Sequence, residues 1–222
     1  MKAMILAAGR GSRMRELTHE CPKPLLQVGG KPLIEYHIER LRDAGITEIV
    51  INVSYLGQQI IDTLGDGTRH GISLRYSIEP MLLETAGGIR HALPLLGDAP
   101  FWLVNADVWC DIGPDALGSL GDDLARLVMV APPDHHRLGD FHLDDAGRLH
   151  EQGETRKVYA GIALMHPKLV ADLADNTPWP LKPCLVEAMR QGRLGGHYHR
   201  GQWSDIGTPE RLKALDDALS SK

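Results

Sequence analysis

The sequence predicts an α/β protein with a mostly parallel sheet flanked by helices and a small β elaboration in its later part. Three observations predict it. Apolar runs alternate with amphipathic stretches from residue 4 to residue 132, the pattern of repeated strand–helix–strand units. Met4–Ala8, Glu48–Val53 and Phe101–Asp107 are almost continuously apolar, as strands covered on both faces are. And 222 residues, 43% apolar and 24% charged, can bury a full core within one domain.

Each element has its reason. Met4–Ala8 reads as a buried first strand and Pro24–Val28 as a short extended piece. Lys31–Ala44 reads as a helix: Pro32 suits its first turn, Leu33, Ile34, Ile38 and Leu41 share a face, and Gly45 can end it. Glu48–Val53 is the second strand. Leu56–Leu64 is a helix closed by “GDG”, and Ile72–Glu79 alternates as a strand. “TAGGIRHALPLL” is a helix with a glycine-rich entry. Phe101–Asp107 is a strand ending on an acid. Pro114–Leu124 is a helix, and “RLVMVAP” is a further strand.

After residue 132 the pattern changes. “GDFHLDDAGRLHEQG” predicts a hairpin turning at “DDAG”, and “VYAGIALMHP” a strand. Helices follow near 167–174 and 181–191, then an extended “GHYHRGQWSDIG”. Thr208 can cap a last helix with Pro209 at its first position and Leu212, Leu215 and Leu219 on one face. With no linker or repeat, one domain spans 1–222: a core over 1–132, and an elaboration with closing helices over 133–222.

Composition excludes several classes. No apolar run reaches the ~18 residues of a membrane span. Glycines and arginines follow “MKAMILAAG” too soon for a signal peptide, so the cytoplasm is the default. Cys21, Cys110 and Cys184 are odd in number with no CxxC spacing, which supports neither disulfides nor zinc. The net charge of −5 argues against a nucleic-acid surface. Yet residues 1–31 carry six Lys/Arg against two Glu, a local +4 that leaves −9 elsewhere. That asymmetry predicts a focused anion site.

Ligands of open α/β sheets sit beyond the strands' carboxyl ends. The loop Gly9-Arg10-Gly11-Ser12-Arg13-Met14 falls there, and its bare backbone can approach an anion. It matches neither GxGxxG nor a Walker loop, and an ordinary strand-to-helix turn would also produce it. Lys23 stands between two prolines that hold it on a stiff, extended segment, against the commoner reading of a solvated lysine. Asp107 ends a buried strand, where a carboxylate can hold magnesium or form a turn. Asp205 lies 98 residues later, near Gly207; its alternative is also a turn acid. His135-His136 and His197-x-His199 could pair on a metal but lack a third ligand. Trp109 and Trp203 flank the acids, as pocket wall or as core.

Together “LAAGRGSRM”, “PKPLLQVGGKPLIEY”, “TAGGI”, “VNAD” and “GQWSDIGTPERL” resemble the sugar-1-phosphate nucleotidylyltransferases, from Lys2 to Leu219. Glu16 departs from the family's usual proline. The resemblance implies a Rossmann-like, nucleotide-diphospho-sugar transferase sheet of the GT-A type. It implies that Ala7, Ala8, Gly9, Gly11 and Ser12 wrap an NTP while Arg13 and Lys23 neutralise its phosphates. Asp107 and Asp205 would hold Mg²⁺. Thr85, Gly87 and Gly88 would border the base and ribose, the two glycines by leaving room. Glu79 and Pro80 fall where the base is read.

Within the family, “VNADVW”, “DHHRLGDFHL”, “YAGIALMHP” and the short chain look most like members that use UTP and N-acetylmuramic acid α-1-phosphate in cell-wall sugar recycling. By that resemblance Asn105 and Asp140 contact the sugar. The family's Glu-Lys-Pro sugar motif is not evident; Glu154 and Lys157 stand nearby. The shortness also implies a single activity. UTP and dTTP stay open at the base, and so does another hexose-1-phosphate nucleotidylyltransferase, acting on mannose 1-phosphate with GTP or on glucose 1-phosphate with dTTP or UTP. Two other classes compete: a glycosyltransferase, for which Asp107 to Asp111 has the wrong spacing, and a non-catalytic sugar-nucleotide binder, which would have lost one of the charged residues.

Overall fold

A computed structural model describes residues 1–220. In chain order the strands are β1 (Lys2–Leu6), β2 (Gln27–Val28), β3 (Lys31–Pro32), β4 (Glu48–Val53), β5 (Ser73–Ile78), β6 (Phe101–Asn105), β7 (Val108–Cys110), β8 (Ala125–Val130), β9 (Phe141–Leu143), β10 (Leu149–His150), β11 (Arg156–Met165), β12 (Leu194–Tyr198) and β13 (Trp203–Asp205). The helices are α1 (Leu33–Asp43), α2 (Gly57–Leu64), α3 (Glu84–Leu96), α4 (Leu181–Arg190) and α5 (Pro209–Ser220).

Strands β5, β4, β1 and β6 lie side by side and parallel, with Met4 of β1 between Val50 and Leu103. The long strand β11 runs antiparallel to β6 and, along its other edge, antiparallel to β8. Strand β12 pairs parallel to β8. The hairpin β9–β10 extends from the start of β11. So residues from the later part of the chain complete the sheet begun by the first part.

Alternation along the strands sends side chains to two cores. Ile5, Ile49, Ile51 and Val104 face α1 and α2 through Ile34, Ile38, Ile60 and Leu64. Met4, Val50 and Leu103 face α3 and α4 through Ile89, Ala92, Leu181 and Leu185. Burying such a side chain is worth about 1.5–3 kcal/mol, and Met4 and Ile5 are 0% exposed; β1 is anchored from both sides. Leu215 of α5 packs with Val28, Leu33, Trp109 and Ile206 in a third cluster.

Several expectations change. The helix expected over Pro114–Leu124 is one tight turn, Pro114–Leu117, because Gly118 takes a left-handed φ of 60°. The helix expected near 167–174 is the turn Pro167–Leu169; Val170 leaves helical geometry and is buried. Lys31 and Pro32 precede α1 and pair with β2. Strand β6 stops at Asn105, so Asp107 lies in the turn before β7. And β8, expected as a further parallel neighbour, is separated from β6 by the antiparallel β11. No helix among the described residues is long and apolar enough to cross a membrane.

Candidate active site

The parallel strands β1, β4 and β6 end together at a cleft of about 440 Å³, a size suited to a nucleotide-like ligand. Of the residues singled out in the sequence, Ala7, Ala8, Gly9, Gly11, Ser12, Arg13, Lys23, Glu79, Thr85, Asn105 and Asp107 line it. The topology explains this. The chain leaves β1 through the glycine loop, β6 through Asn105 and β5 through Glu79, all at one end of the sheet.

The cleft floor is held by a residue that sequence reading missed. Asn52, on β4, accepts a hydrogen bond from the Ala7 N–H (2.9 Å) and donates to Glu79 Oε1 (2.6 Å). The Leu83 N–H donates to the other Glu79 oxygen (3.0 Å). One carboxamide thus ties three strand ends together. Burial pushes the Glu79 carboxyl up from its ordinary value, against the hydrogen bonds that favour its charge. The available signal was a polar residue inside the otherwise apolar “EIVINV”.

Lys23 is almost sealed, its side chain 8% exposed, and its Nζ lies 2.6 Å from Asp107 Oδ2. Pro22 is extended, as its ring demands, but Lys23 itself opens a tight turn, Lys23–Leu25, and does not continue the extended piece. Asp205 does not line the cleft; it stands beside Asp107 behind that wall. Strands β7 and β13 pair antiparallel, with Asp205 opposite Val108, and the Ile206 N–H donates to the Asp107 carbonyl (2.8 Å). Arg211, from α5, reaches both Asp205 oxygens at 2.7 and 2.6 Å. His135 Nε2 lies 3.1 Å from Asp205 Oδ1 and 2.6 Å from Arg211 Nη1. Sequence reading paired His135 with His136 and did not single out Arg211, which gains meaning only when α5 folds back over β13.

Other expected residues fall outside the cleft. Gly87 and Gly88 are not among the residues that line the cleft. They are buried in α3, where a Cβ at Gly87 would strike the Thr177 carbonyl and one at Gly88 would lie 2.5 Å from Glu79 Oε1. Their bareness lets the 177–179 segment and the Glu79 network pack against the helix. Pro80 is exposed and off the cleft wall. Asp140 accepts the Tyr159 N–H (2.8 Å) and meets His136 Nε2 (3.0 Å), so it anchors the start of β9 to β11. Glu154 is exposed and outside the cleft lining.

The histidine pairs separate. His136 goes to Asp140, His135 to Asp205, and His199 Nε2 to Asp111 Oδ1 at 2.6 Å. Cys110, Asp111 and His199 come within 4.8 Å of one another. Burial pushes the Cys110 thiol up to about 11, as expected of a packed core thiol. Trp109 packs in the α5 cluster, and Trp203 donates to the Ala160 carbonyl (2.9 Å). Both tryptophans brace the acids' strands from outside the cleft.

The sequence pattern of the nucleotidyl transferase family matches residues 2–143. An N-acetylmuramate alpha-1-phosphate uridylyltransferase from Neisseria meningitidis serogroup B is 48% identical over 96% of each chain. One of the same name from Caulobacter vibrioides is 34% identical over 98% of this chain and 96% of its own. A crystal structure from Bacillus anthracis, in complex with a sucrose, superposes at TM-score 0.88 and 22% identity, covering 100% of this chain and 96% of its own; it shares the fold. Family pattern and full-length relatives agree with the cleft and its charges: the chain belongs to the nucleotidyl transferase family.

Proposed function

We propose that this enzyme joins UTP to N-acetylmuramic acid α-1-phosphate and releases pyrophosphate. The names of the two full-length relatives support the substrates. One geometric observation carries the chemistry. Asp107, in the turn before β7, and Asp205, on β13 paired to β7, each hold a cation from another element beside a glycine-loop cleft.

The nucleophile is an oxygen of the sugar phosphate, already an anion near neutral pH. It attacks the α-phosphorus of the NTP, and the bond from that phosphorus to the bridging pyrophosphate oxygen breaks. No general base is needed. The difficulty lies in bringing two polyanions together: one like-charge pair at ~4 Å and a dielectric near 20 costs about 4 kcal/mol. Arg13 and Lys23 offset that repulsion and favour the in-line transition state. Lys23 can do so because its surroundings aim it at the cleft. The backbone of Ala8–Ser12 offers N–H groups to phosphate oxygens, while Glu79 and Thr85 border the far end, where the base would lie. Asp107 and Asp205 supply only oxygen donors, one from the turn before β7 and one from its partner strand β13, which suits Mg²⁺, a hard cation. Mg²⁺, held by these two acids, would polarise phosphate oxygens as a Lewis acid. Dependence on NTPs supports a cytoplasmic location.

The test is a pyrophosphate-release panel of UTP, dTTP, GTP and ATP against N-acetylmuramate, N-acetylglucosamine, glucose and mannose 1-phosphates. UTP with N-acetylmuramate 1-phosphate should exceed every other pair in kcat/KM by at least about tenfold. A higher value for mannose 1-phosphate with GTP, or glucose 1-phosphate with dTTP, would reassign the substrates. Release of a nucleoside diphosphate from a nucleotide sugar, with no pyrophosphate from any pair, would replace the reaction class.

A further inference from the structure

We propose that Arg211, aligned by His135, binds the phosphate of the sugar 1-phosphate, and that Asp205 holds its guanidinium until a divalent cation takes that carboxylate. The inference rests on the reading of Asp205 as a metal ligand and extends it to a residue with no role in that reading.

Three observations carry it. First, both acids are occupied by cations: Lys23 sits 2.6 Å from Asp107, and Arg211 Nη1 sits 2.6 Å from Asp205 Oδ2. A carboxylate that receives a divalent ion loses its need for a side-chain cation, and like charges then push that side chain away. Lys23 has a phosphate to go to; Arg211 is its counterpart on the other acid.

Second, two guanidinium groups crowd one spot. A Cβ at Gly207 would lie 3.3 Å from Arg13 Nη1 and would collide with Arg211 Nη2. With Asp205 committed to a metal, these two arginines stand close together without that carboxylate to offset their charge. A phosphate dianion, bound by planar, forked donors, is the ligand that such a pair fits.

Third, the location is at the seam between the two parts of the chain. Arg211, from α5, and His135, from the segment between β8 and β9, belong to the part after residue 132, and Arg211 approaches Arg13 of the first part near Gly207. Arg13 faces the NTP cleft. An anion held between Arg13 and Arg211 would sit at the edge of the cleft toward the later part of the chain. His135 meets both Asp205 and Arg211, so it holds the Arg211 Nη1 end beside the acid and acts as a positioning residue.

Arg211→Ala, Arg211→Lys and His135→Ala test this with two readouts. In substrate-free protein, Mn²⁺ binding followed by electron paramagnetic resonance should tighten roughly tenfold in Arg211→Ala, because a competing charge-assisted contact is gone. A merely structural Arg211 would leave Mn²⁺ affinity unchanged or weaken it, and either result in a folded variant overturns the proposal. In turnover, the KM for the sugar 1-phosphate should rise roughly tenfold or more in Arg211→Ala while the KM for the NTP moves by less than about twofold. Arg211→Lys should recover part of that loss, and His135→Ala should show a smaller rise of the same selectivity. Equal rises in both KM values would also overturn it. If the wild-type enzyme releases no pyrophosphate from any pair, the proposed function fails, while the Mn²⁺ arm still decides the exchange at Asp205. If the wild type turns over and Arg211→Ala matches it, only this inference fails.

Discussion

Lys23 and Asn52 show two ways in which one side chain governs a cleft. Lys23→Ala removes a nearly buried charge from a short turn. We expect kcat to fall by about 10²–10³-fold, the range seen when one preorganised transition-state contact is lost, with an unchanged far-UV spectrum; turnover near wild type would remove Lys23 from the mechanism. Asn52→Leu should act on stability instead. It strands the Ala7 N–H and the buried Glu79 carboxyl, and each such orphan costs roughly 1–3 kcal/mol. At about 2–4 °C per kcal/mol for a chain of this size, a Tm drop near 10 °C should appear in thermal unfolding. Legibility at this scale followed locality. Arg13, Lys23 and Asp107 stood out because neighbouring residues mark them: glycines, prolines, the end of an apolar run. Asn52, His135 and Arg211 act on residues 45, 70 and 6 positions away, and only the assembled strands and α5 bring them there.

Among the elements, α3 and α1 make opposite demands on their interiors. Gly87 and Gly88 weaken α3 in isolation, since glycine costs about 1 kcal/mol against alanine in a helix. The intrinsic gain from Gly87→Ala is nevertheless outweighed by collision with the 177–179 backbone, and overpacking typically costs about 1–3 kcal/mol. The variant should melt lower than wild type; a higher Tm would mean that the segment can retreat. In α1, His37 is 4% exposed. Burial, aided by the nearby Arg40 charge, lowers its pKa from 6.5 to about 4 despite a hydrogen bond to the Val108 backbone. The folded protein therefore binds this proton less readily than the unfolded chain does. The resulting stability is complete above pH 6.5 and is lost as pH falls toward 4. The loss amounts to about 3 kcal/mol if no other group compensates. His37→Phe should flatten the decline of Tm across that window, and an unchanged slope would assign the acid sensitivity elsewhere. The sequence marked α1 through its apolar spacing but could not announce a histidine turned inward against β7.

For the molecule as a whole, the long-range field and the strand order matter most. A basic first segment in an acidic chain draws polyanions to one mouth. The KM for the NTP should therefore rise several-fold between about 0.05 and 0.5 M NaCl, where the screening length contracts from well over 10 Å to a few Å; a flat salt profile would argue that capture is short-ranged only. The alternation of strands and helices made the parallel half of the sheet legible, because each unit is local in sequence. The position of β11 was not legible, because an antiparallel insertion between β6 and β8 is a pairing between distant segments. That insertion also governs the newly made chain as it leaves the ribosome. Until residues 156–165 emerge, β6 has an open edge and β8 has neither of its pairing partners. A fragment ending at residue 132 should thus be recovered as aggregate and not as a soluble nucleotide binder, because a strand made late also seals the half of the sheet that was synthesised before it.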